Sequence, residues 1–382
     1  MSTRVLVVDD TSLFRRVITD ALAGIPGVEV AGSASNGKLA LSRLEALKPD
    51  LMTLDLEMPE MGGLEVLEAM KAASFATQVL VLSSHTTRGG AMTVKALELG
   101  AFDFITKPQG GTAEENLLQL RERMVPILRA FERRREIRDI LKSGARLPLT
   151  GTKLAGSTLP DAVPGSVTPP LARPTVEAAS ANRSHRRTGS PIVVIGVSTG
   201  GPAALAEVLP ALPSRLAAPV FIVQHMPALF TLPLAQSLQS KSAIQIKEAS
   251  DGEIAVAGCA YIAPGGRQMK VAPTPAGEIQ IRVNDDAPEN NCRPSVDYLF
   301  RSVALHFPGR AIAAILTGMG NDGAQGLKML KRGGCYSIAQ DEASCVVFGM
   351  PREAILTGLV DAVVPLKNIA PALMRAIEEA AP

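Results

Sequence analysis

The chain has 382 residues, a length that suits two domains, and its hydrophobic (46%) and charged (20%) contents are typical of a globular rather than a disordered protein. No segment approaches the roughly 20 consecutive apolar residues that cross a bilayer, and no apolar leader begins the chain, so we expect no membrane insertion and a cytoplasmic location. The net charge is only +2, and with no Trp and three Tyr the chain lacks the basic, aromatic surface typical of nucleic-acid binding. The four cysteines show no CxxC spacing and suggest neither a disulfide framework nor a zinc site.

The first 110 residues alternate strand-like and helix-like runs, beginning with RVLVVDD and LFRRVITDALAGI and ending with FDFITKP. Short strands rich in β-branched residues, separated by amphipathic helices, predict a parallel sheet with helices on both faces. The fold class that we expect is therefore α/β, with a flavodoxin-like, doubly wound domain over residues 1–124.

Polar side chains end several strands of this predicted sheet: Asp9 and Asp10 the first, Asp55 the third, Ser83 the fourth and Lys107 the fifth. Each residue alone could be a solvated helix cap, but ligands of open α/β sheets bind where the carboxyl ends of the strands meet. Three carboxylates at one edge need a cation, and all-oxygen ligation suits Mg²⁺. The set predicts that Asp55 accepts a phosphoryl group whose oxygens contact Lys107 and Ser83.

The segments VLVVDD, LDLEMPEMGGLE, LSS and GAFDFITKP resemble the receiver domain of two-component response regulators over about 120 residues. The resemblance implies that a histidine kinase phosphorylates Asp55. The Mg²⁺ ligands that it implies are Asp9, Asp10, Asp55 and the backbone carbonyl of Glu57. The residues that it implies as sensors of the phosphoryl group are Ser83, Lys107 and Phe104, the last at the position of the family's switch aromatic, commonly Tyr.

A charged helix is predicted from about Ala113 to Leu141, and its basic run Arg133-Arg134-Arg135 is by default a solvated face. From residue 143 to residue 190 the chain is rich in Pro, Gly, Ser and Thr and has no Ile, Phe, Met or Tyr. Such a segment cannot bury enough apolar surface to offset its ordering entropy, so we expect a flexible linker. Residues 125–190 form this middle region, and residues 191–382 return to an α/β pattern.

The stretch IVVIGVSTGGPAAL (residues 192–205) reads as a buried strand, a tight turn and the start of a helix, with Ser198 at the centre of G-x-S-x-G. A dinucleotide site would need G-x-G-x-x-G and an acidic residue after the next strand, which instead ends in Gln224-His225. Two interpretations remain. The small residues could simply let the helix pack closely on the sheet, or Ser198 is a nucleophile.

A serine nucleophile needs a general base and an acid that orients it. His225 ends the strand that follows the serine turn, and we expect it beside Ser198 with a pKa near the ordinary value of about 6.5. For the acid, Asp322 lies on the glycine-rich turn TGMGNDGAQG. Asp297 with His306 is the rival pair, but these two residues lie nine positions apart on one predicted helix and would occupy opposite faces.

Five motifs in order, IGVSTGGP, VQHMP, APGGRQM, RPSVD and TGMGNDGAQG, resemble the catalytic domain of the CheB family of chemotaxis methylesterases. The resemblance implies a catalytic triad of Ser198, His225 and Asp322. It also implies that Thr199 and the backbone N–H of Met319 help to hold the oxyanion.

The same resemblance implies a phosphorylation-regulated serine hydrolase that demethylates glutamate methyl esters on chemoreceptors and also deamidates glutamines. It implies Mg²⁺ in the receiver and no cofactor for the ester hydrolysis. We expect a monomer in which the unphosphorylated receiver lies over the Ser198 cleft. The alternative is a signalling module whose phosphorylated receiver recruits partners through the basic segment, with the hydrolase domain auxiliary.

Overall fold

The computed structural model describes residues 2–143 and 189–380, so residues 144–188 of the predicted linker lie outside the described residues. The strands of the N-terminal part are β1 (Thr3–Val8), β2 (Val28–Ala34), β3 (Leu51–Asp55), β4 (Gln78–Ser83) and β5 (Asp103–Thr106). Its helices are α1 (Ser12–Ala23), α2 (Gly37–Leu47), α3 (Gly63–Ala72), α4 (Thr87–Glu98) and α5 (Ala113–Ser143).

The N-terminal strands form one parallel sheet in the order β2-β1-β3-β4-β5. On β1, Val5 and Val7 pack in one hydrophobic cluster and Leu6 and Val8 in another, because successive side chains of a strand point to opposite faces. A strand that is buried on both faces needs helices on both sides. The predicted doubly wound, flavodoxin-like fold is therefore confirmed.

Helix α5 runs past residue 124 without a break, so the predicted domain boundary falls inside it. Met124, Leu128 and Phe131 are buried against the N-terminal domain. The sequence led us to expect that the basic run Arg133-Arg134-Arg135 is a solvated face, but two of its three residues make contacts within the N-terminal domain. Arg134 lies over the Phe102 ring, and Arg135 forms a 2.9 Å ion pair with Asp50.

The C-terminal part contains a second set of strands and helices. Its strands are β6 (Ile192–Val197), β7 (Val220–Gln224), β8 (Gln245–Glu248), β9 (Cys259–Ile262), β10 (Gln268–Pro273), β11 (Ile279–Asn284), β12 (Ala311–Ile315), β13 (Tyr336–Gln340) and β14 (Ala362–Val364). Its helices are α6 (Gly201–Val208), α7 (Ala228–Gln239), α8 (Val296–His306), α9 (Ala324–Arg332), α10 (Met350–Leu356), a short 3₁₀ helix (Leu366–Asn368) and α11 (Ile369–Ala380). In the two described ranges, no helix is long and apolar enough to cross a membrane.

Seven of these strands form a parallel sheet in the order β14-β13-β12-β6-β7-β9-β8, and β10 and β11 form a separate antiparallel hairpin. Strand β6 has β7 on one side and β12 on the other. The sequence order of the strands therefore reverses beside β6. In open α/β sheets ligands bind at such a point, outside the carboxyl ends of the strands, and this is where Ser198 follows β6.

The two parts contact each other mainly through α4 and α7. The helices approach closely at Gly90, where an added Cβ would lie 2.4 Å from the backbone oxygen of Leu229. Beside this contact, the Phe104 and Phe230 rings lie 4.7 Å apart between centroids. An ion pair of 2.6 Å between Glu98 on α4 and Lys241 just beyond α7 extends the interface.

Candidate active site

Ser198 and His225 stand side by side because β6 and β7 are neighbours in register. Val197 pairs with Gln224, so the next residue on each strand is Ser198 and His225 respectively. The His225 amide donates to the Val197 carbonyl at 3.1 Å. The buried Gln224 side chain then donates from Nε2 to the Ser198 carbonyl (3.0 Å) and the His225 carbonyl (3.2 Å). The two backbone segments are thus held together directly beneath the candidate nucleophile.

The turn after Ser198 depends on Gly200, which has φ +78° and precedes α6. Only glycine adopts this conformation without strain. A Cβ at Gly200 would also lie 2.4 Å from the Cβ of Val346. The small residues of this motif therefore allow both a tight strand-to-helix turn and close packing, which explains why the sequence alone left the packing interpretation open.

Asp322 hydrogen-bonds to His225, with 2.8 Å between Oδ2 and Nε2. Its carboxylate also lies at the start of α8, where backbone N–H groups and the helix dipole favour a negative charge. The further donors to it are Asn290 Nδ2 (2.8 Å), Ser295 Oγ (2.9 Å), Val296 N (2.6 Å) and Asp297 N (3.0 Å). Burial opposes ionisation, but the hydrogen bond and charge of His225, with these amides, lower the pKa of Asp322 to about 2.

His225 does not have the pKa that the sequence analysis expected. Burial disfavours the imidazolium, yet the hydrogen bonds to Asp322 and Cys292 outweigh it and raise the pKa of His225 to about 9. The expectation of a pKa near 6.5 is therefore wrong for this arrangement of the chain. Because the ionised Asp322 accepts from Nε2, the nitrogen left to exchange a proton is Nδ1.

The structure does not pair Asp297 with His306, the alternative acid and base considered from the sequence. His306 is exposed at the end of α8. Asp297 is buried at the start of the same helix, where it accepts hydrogen bonds from the Gly326 amide (2.6 Å) and Asn290 Nδ2 (2.8 Å). Asp297 therefore belongs to the hydrogen-bond network around Asp322 and does not orient His306.

Residues of the N-terminal domain help to line the cavity in front of Ser198. This cavity of about 510 Å³ is lined by Ser198, Thr199, His225 and Met319, together with Asp103 and Phe104 of the N-terminal domain. The Thr199 hydroxyl donates to Asp103 Oδ2 at 2.6 Å. Burial raises the pKa of Asp103 to about 6, so placing this carboxylate here has an energetic cost that the hydrogen bonds from Thr199 and the Phe104 amide only partly offset.

The carboxylates predicted from the receiver sequence also lie together. Oxygens of Asp9, Asp10 and Asp55 lie within 4.8 Å of one another. Lys107 Nζ lies 2.9 Å from Asp9 and 2.7 Å from Asp55. Burial and the neighbouring Asp9 nevertheless raise the pKa of Asp55 against the attraction of Lys107. Three carboxylates facing the single ammonium of Lys107 leave negative charge to be neutralised, and their all-oxygen donor set fits a hard divalent cation such as Mg²⁺.

Of the other predicted receiver residues, Glu57 contacts this carboxylate group, whereas Ser83 and Phe104 make their contacts elsewhere. The Glu57 amide donates to Asp55 at 3.3 Å while its side chain is exposed. Ser83 is buried, and in the described residues its hydroxyl accepts from Thr93 and donates to the backbone carbonyls of Ser84 and Gly89 rather than to the carboxylates. Phe104 faces the other domain, where it contacts Phe230.

Three residues of the site were missed by the sequence analysis: Gln224, Asn290 and Cys292. Gln224 was noted only because it is not acidic, although its position next to His225 was a usable signal. Asn290 and Cys292 lie about 30 residues before Asp322 in the chain and in no motif that the analysis interpreted. Only the folding of the segment before α8 brings them to the triad.

Comparison with known proteins shows the family to which the chain belongs. A family model described as CheB methylesterase matches residues 193–373, and one described as response regulator receiver domain matches residues 5–120. Proteins named protein-glutamate methylesterase/protein-glutamine glutaminase match from Desulfotalea psychrophila (47% identical, covering 98% of both chains) and Bacillus subtilis (41% identical, covering 98% of this chain and 99% of the relative). The crystal structure of the Thermotoga maritima CheB methylesterase catalytic domain is 41% identical, with a TM-score of 0.48, and covers 50% of this chain and 100% of that one. With relatives this similar over nearly its whole length, the chain belongs to the CheB family of protein-glutamate methylesterases, with a response-regulator receiver at its N-terminus.

Proposed function

We propose that this chain is a protein-glutamate methylesterase and protein-glutamine glutaminase that acts on chemoreceptors and is activated by a histidine kinase. Ser198 is the nucleophile, His225 the general base and acid, and Asp322 the group that orients His225. The observation that carries the proposal is the 2.8 Å hydrogen bond between His225 and Asp322, on the imidazole that ends the strand beside Ser198.

The reaction follows from which imidazole nitrogen is available. Ser198 Oγ attacks the γ-carbonyl of a methylated glutamate and transfers its proton to Nδ1 of His225, while Asp322 stabilises the imidazolium that forms. The reacting form of His225 is the neutral one, which with a pKa of about 9 is the minor form near pH 7 in the present arrangement. The C–O bond to the methoxy group breaks, and methanol leaves with that proton. Water then attacks the glutamyl–serine ester with the same assistance, releasing glutamate and restoring Ser198. A glutamine side chain follows the same route with ammonia as the leaving group.

Thr199 and the backbone N–H of Met319 are the proposed donors to the oxyanion that forms in each step. Both residues line the cavity with Ser198. The Thr199 hydroxyl is bound to Asp103 of the receiver. This contact occupies one of the two proposed oxyanion donors, so the receiver has to move away from the turn before the Thr199 hydroxyl can bind the oxyanion.

The receiver supplies the regulation in this proposal. Asp9, Asp10, Asp55 and the Glu57 carbonyl would hold Mg²⁺, which supplies positive charge beside the phosphoryl group. Lys107 and Ser83 would bind phosphoryl oxygens once Ser83 leaves its present hydrogen bonds. Phe104, in contact with Phe230, would link that change to the domain interface.

Methanol release from methylated chemoreceptor membranes tests the proposal. We expect release by the full chain to rise several-fold when Mg²⁺ and a small acyl-phosphate donor are added, since phosphorylation shifts the receiver toward an open arrangement. Asp55→Asn should keep the basal rate and lose the response.

Two results would contradict the proposal. If the chain releases no methanol under either condition, the partner-recruiting signalling module becomes the better interpretation. If Asp55→Asn matches the activity of the phosphorylated chain, then gating by the phosphorylation of Asp55 is wrong even though the hydrolase chemistry stands.

A further inference from the structure

Cys292 stands beside the imidazole nitrogen that Asp322 leaves free. Its Sγ lies 3.7 Å from Nδ1 of His225, on the side of the ring opposite the hydrogen bond to Asp322. The ester hydrolysis described above has no use for a thiol at this position. We propose that Cys292 and His225 form a binding site for Zn²⁺, and that zinc bound there inhibits the esterase by occupying the nitrogen that must accept the serine proton.

The spacing of the two atoms fits a shared zinc ion. Zinc bonds to sulfur at about 2.3 Å and to imidazole nitrogen at about 2.0 Å, which places two such ligands about 3.5 Å apart in a tetrahedral site. The observed 3.7 Å needs little adjustment. Thiolate and imidazole are ligands that zinc prefers, whereas Mg²⁺ prefers oxygen.

Asp322 prepares His225 for metal binding. A histidine that ligates a metal usually donates its other ring N–H to a carboxylate, which fixes the tautomer and raises the basicity of the ligating nitrogen. His225 meets this condition through Nε2. Ligand atoms of Cys292, His225 and Asp322 all lie within 4.8 Å of one another. The two protein ligands leave the remaining coordination positions to water, so we expect reversible rather than structural binding.

The backbone holds Cys292 in place. Glu289 and Cys292 exchange backbone hydrogen bonds of 3.1 and 2.8 Å across a tight turn. Asn290 and Asn291, the two central residues, have φ values of +53° and +59°, as in a type I′ turn. Asn290 also binds Asp322 at 2.8 Å. The turn that positions the thiol is therefore attached to the carboxylate that positions the imidazole, and the ligands need little reordering.

Exposure also distinguishes Cys292 from the other cysteines. Cys259, Cys335 and Cys345 are buried, whereas Cys292 is partly exposed and so can be reached by a metal ion from solvent. Cys259 lies in the core of the same domain, which makes it a matched control for a thiol substitution.

Cobalt absorbance tests the site without relying on activity. The full chain is titrated with Co²⁺ in excess Mg²⁺, which saturates the oxygen ligands of the receiver, under a reductant that is not a thiol. We expect a near-ultraviolet thiolate-to-cobalt charge-transfer band that added Zn²⁺ removes. The band should be absent in Cys292→Ser and retained in Cys259→Ser. Its absence from the wild-type chain, or its persistence in Cys292→Ser, would overturn the proposed site.

The inhibitory role rests on the proposed function and has its own measurement. Zn²⁺ should suppress methanol release, a chelator should restore it, and Cys292→Ser should need at least about tenfold more zinc for the same inhibition, as expected for the loss of one of two ligands. Equal sensitivity of Cys292→Ser and the wild-type chain would overturn the inhibitory role. A chain that never releases methanol would contradict the proposed function, while the cobalt band would still decide the metal site.

Discussion

Ser198→Ala is expected to lower methanol release by about 10³-fold or more, to the background of the assay, because no other group then forms the covalent intermediate. The substitution removes one hydroxyl that makes no hydrogen bond within the described residues. The thermal unfolding midpoint and the response of the receiver to phosphorylation should therefore match those of the wild-type chain. Single-turnover release from methylated receptor membranes measures the effect.

The two histidines of the catalytic domain provide the matched comparison. His225→Ala should fall to nearly the same level as Ser198→Ala, because residues that act as one unit lose activity together rather than additively. His306→Ala changes an exposed residue at the end of α8 and should retain wild-type release. Methanol release by Ser198→Ala at the wild-type rate, or a larger loss in His306→Ala than in His225→Ala, would show that the assigned residues are wrong.

The fold was predictable because strand-like apolar runs and helix-like amphipathic runs alternate along most of the chain. Strand runs such as RVLVV and IVVIGV are apolar on both faces, which indicates buried parallel strands with helices on either side. The same pattern places Ser198 and His225 at the ends of adjacent strands, and the structure brings the two residues together. Sequence position therefore identified the residues that lie at the carboxyl ends of strands.

Residues that reach the site from elsewhere in the chain were not predictable in this way. Asn290 and Cys292 come from a turn before α8 that is tied to residues distant in the sequence, as in the hydrogen bond from Asn290 to Asp322. The pKa of His225 depends on burial and on both Asp322 and Cys292, so no single neighbour in the sequence indicates it. The contact between Asp103 and Thr199 joins residues 96 positions apart, on either side of the predicted linker.

The contact between α4 and α7 yields the second large expected effect: Gly90→Ala should raise methanol release in the absence of any phosphodonor. The added Cβ would lie 2.4 Å from the Leu229 backbone oxygen, and backbone cannot move aside as a side-chain end can. Overpacking of this kind costs about 1–3 kcal/mol. That cost shifts the balance of closed and open arrangements by about 5- to 150-fold.

Basal activity in Gly90→Ala should rise by up to that factor and stop at the level of the phosphorylated wild-type chain, which is already open. The stability of the receiver domain itself should not fall, since alanine has a higher helix propensity than glycine. Ala91→Ser, at the exposed neighbouring position on α4, should leave basal activity unchanged. A basal rate in Gly90→Ala equal to that of the wild-type chain would mean that the closed arrangement does not limit turnover. Ser198 would then be accessible whatever the state of Asp55, and phosphorylation would have to act through another surface.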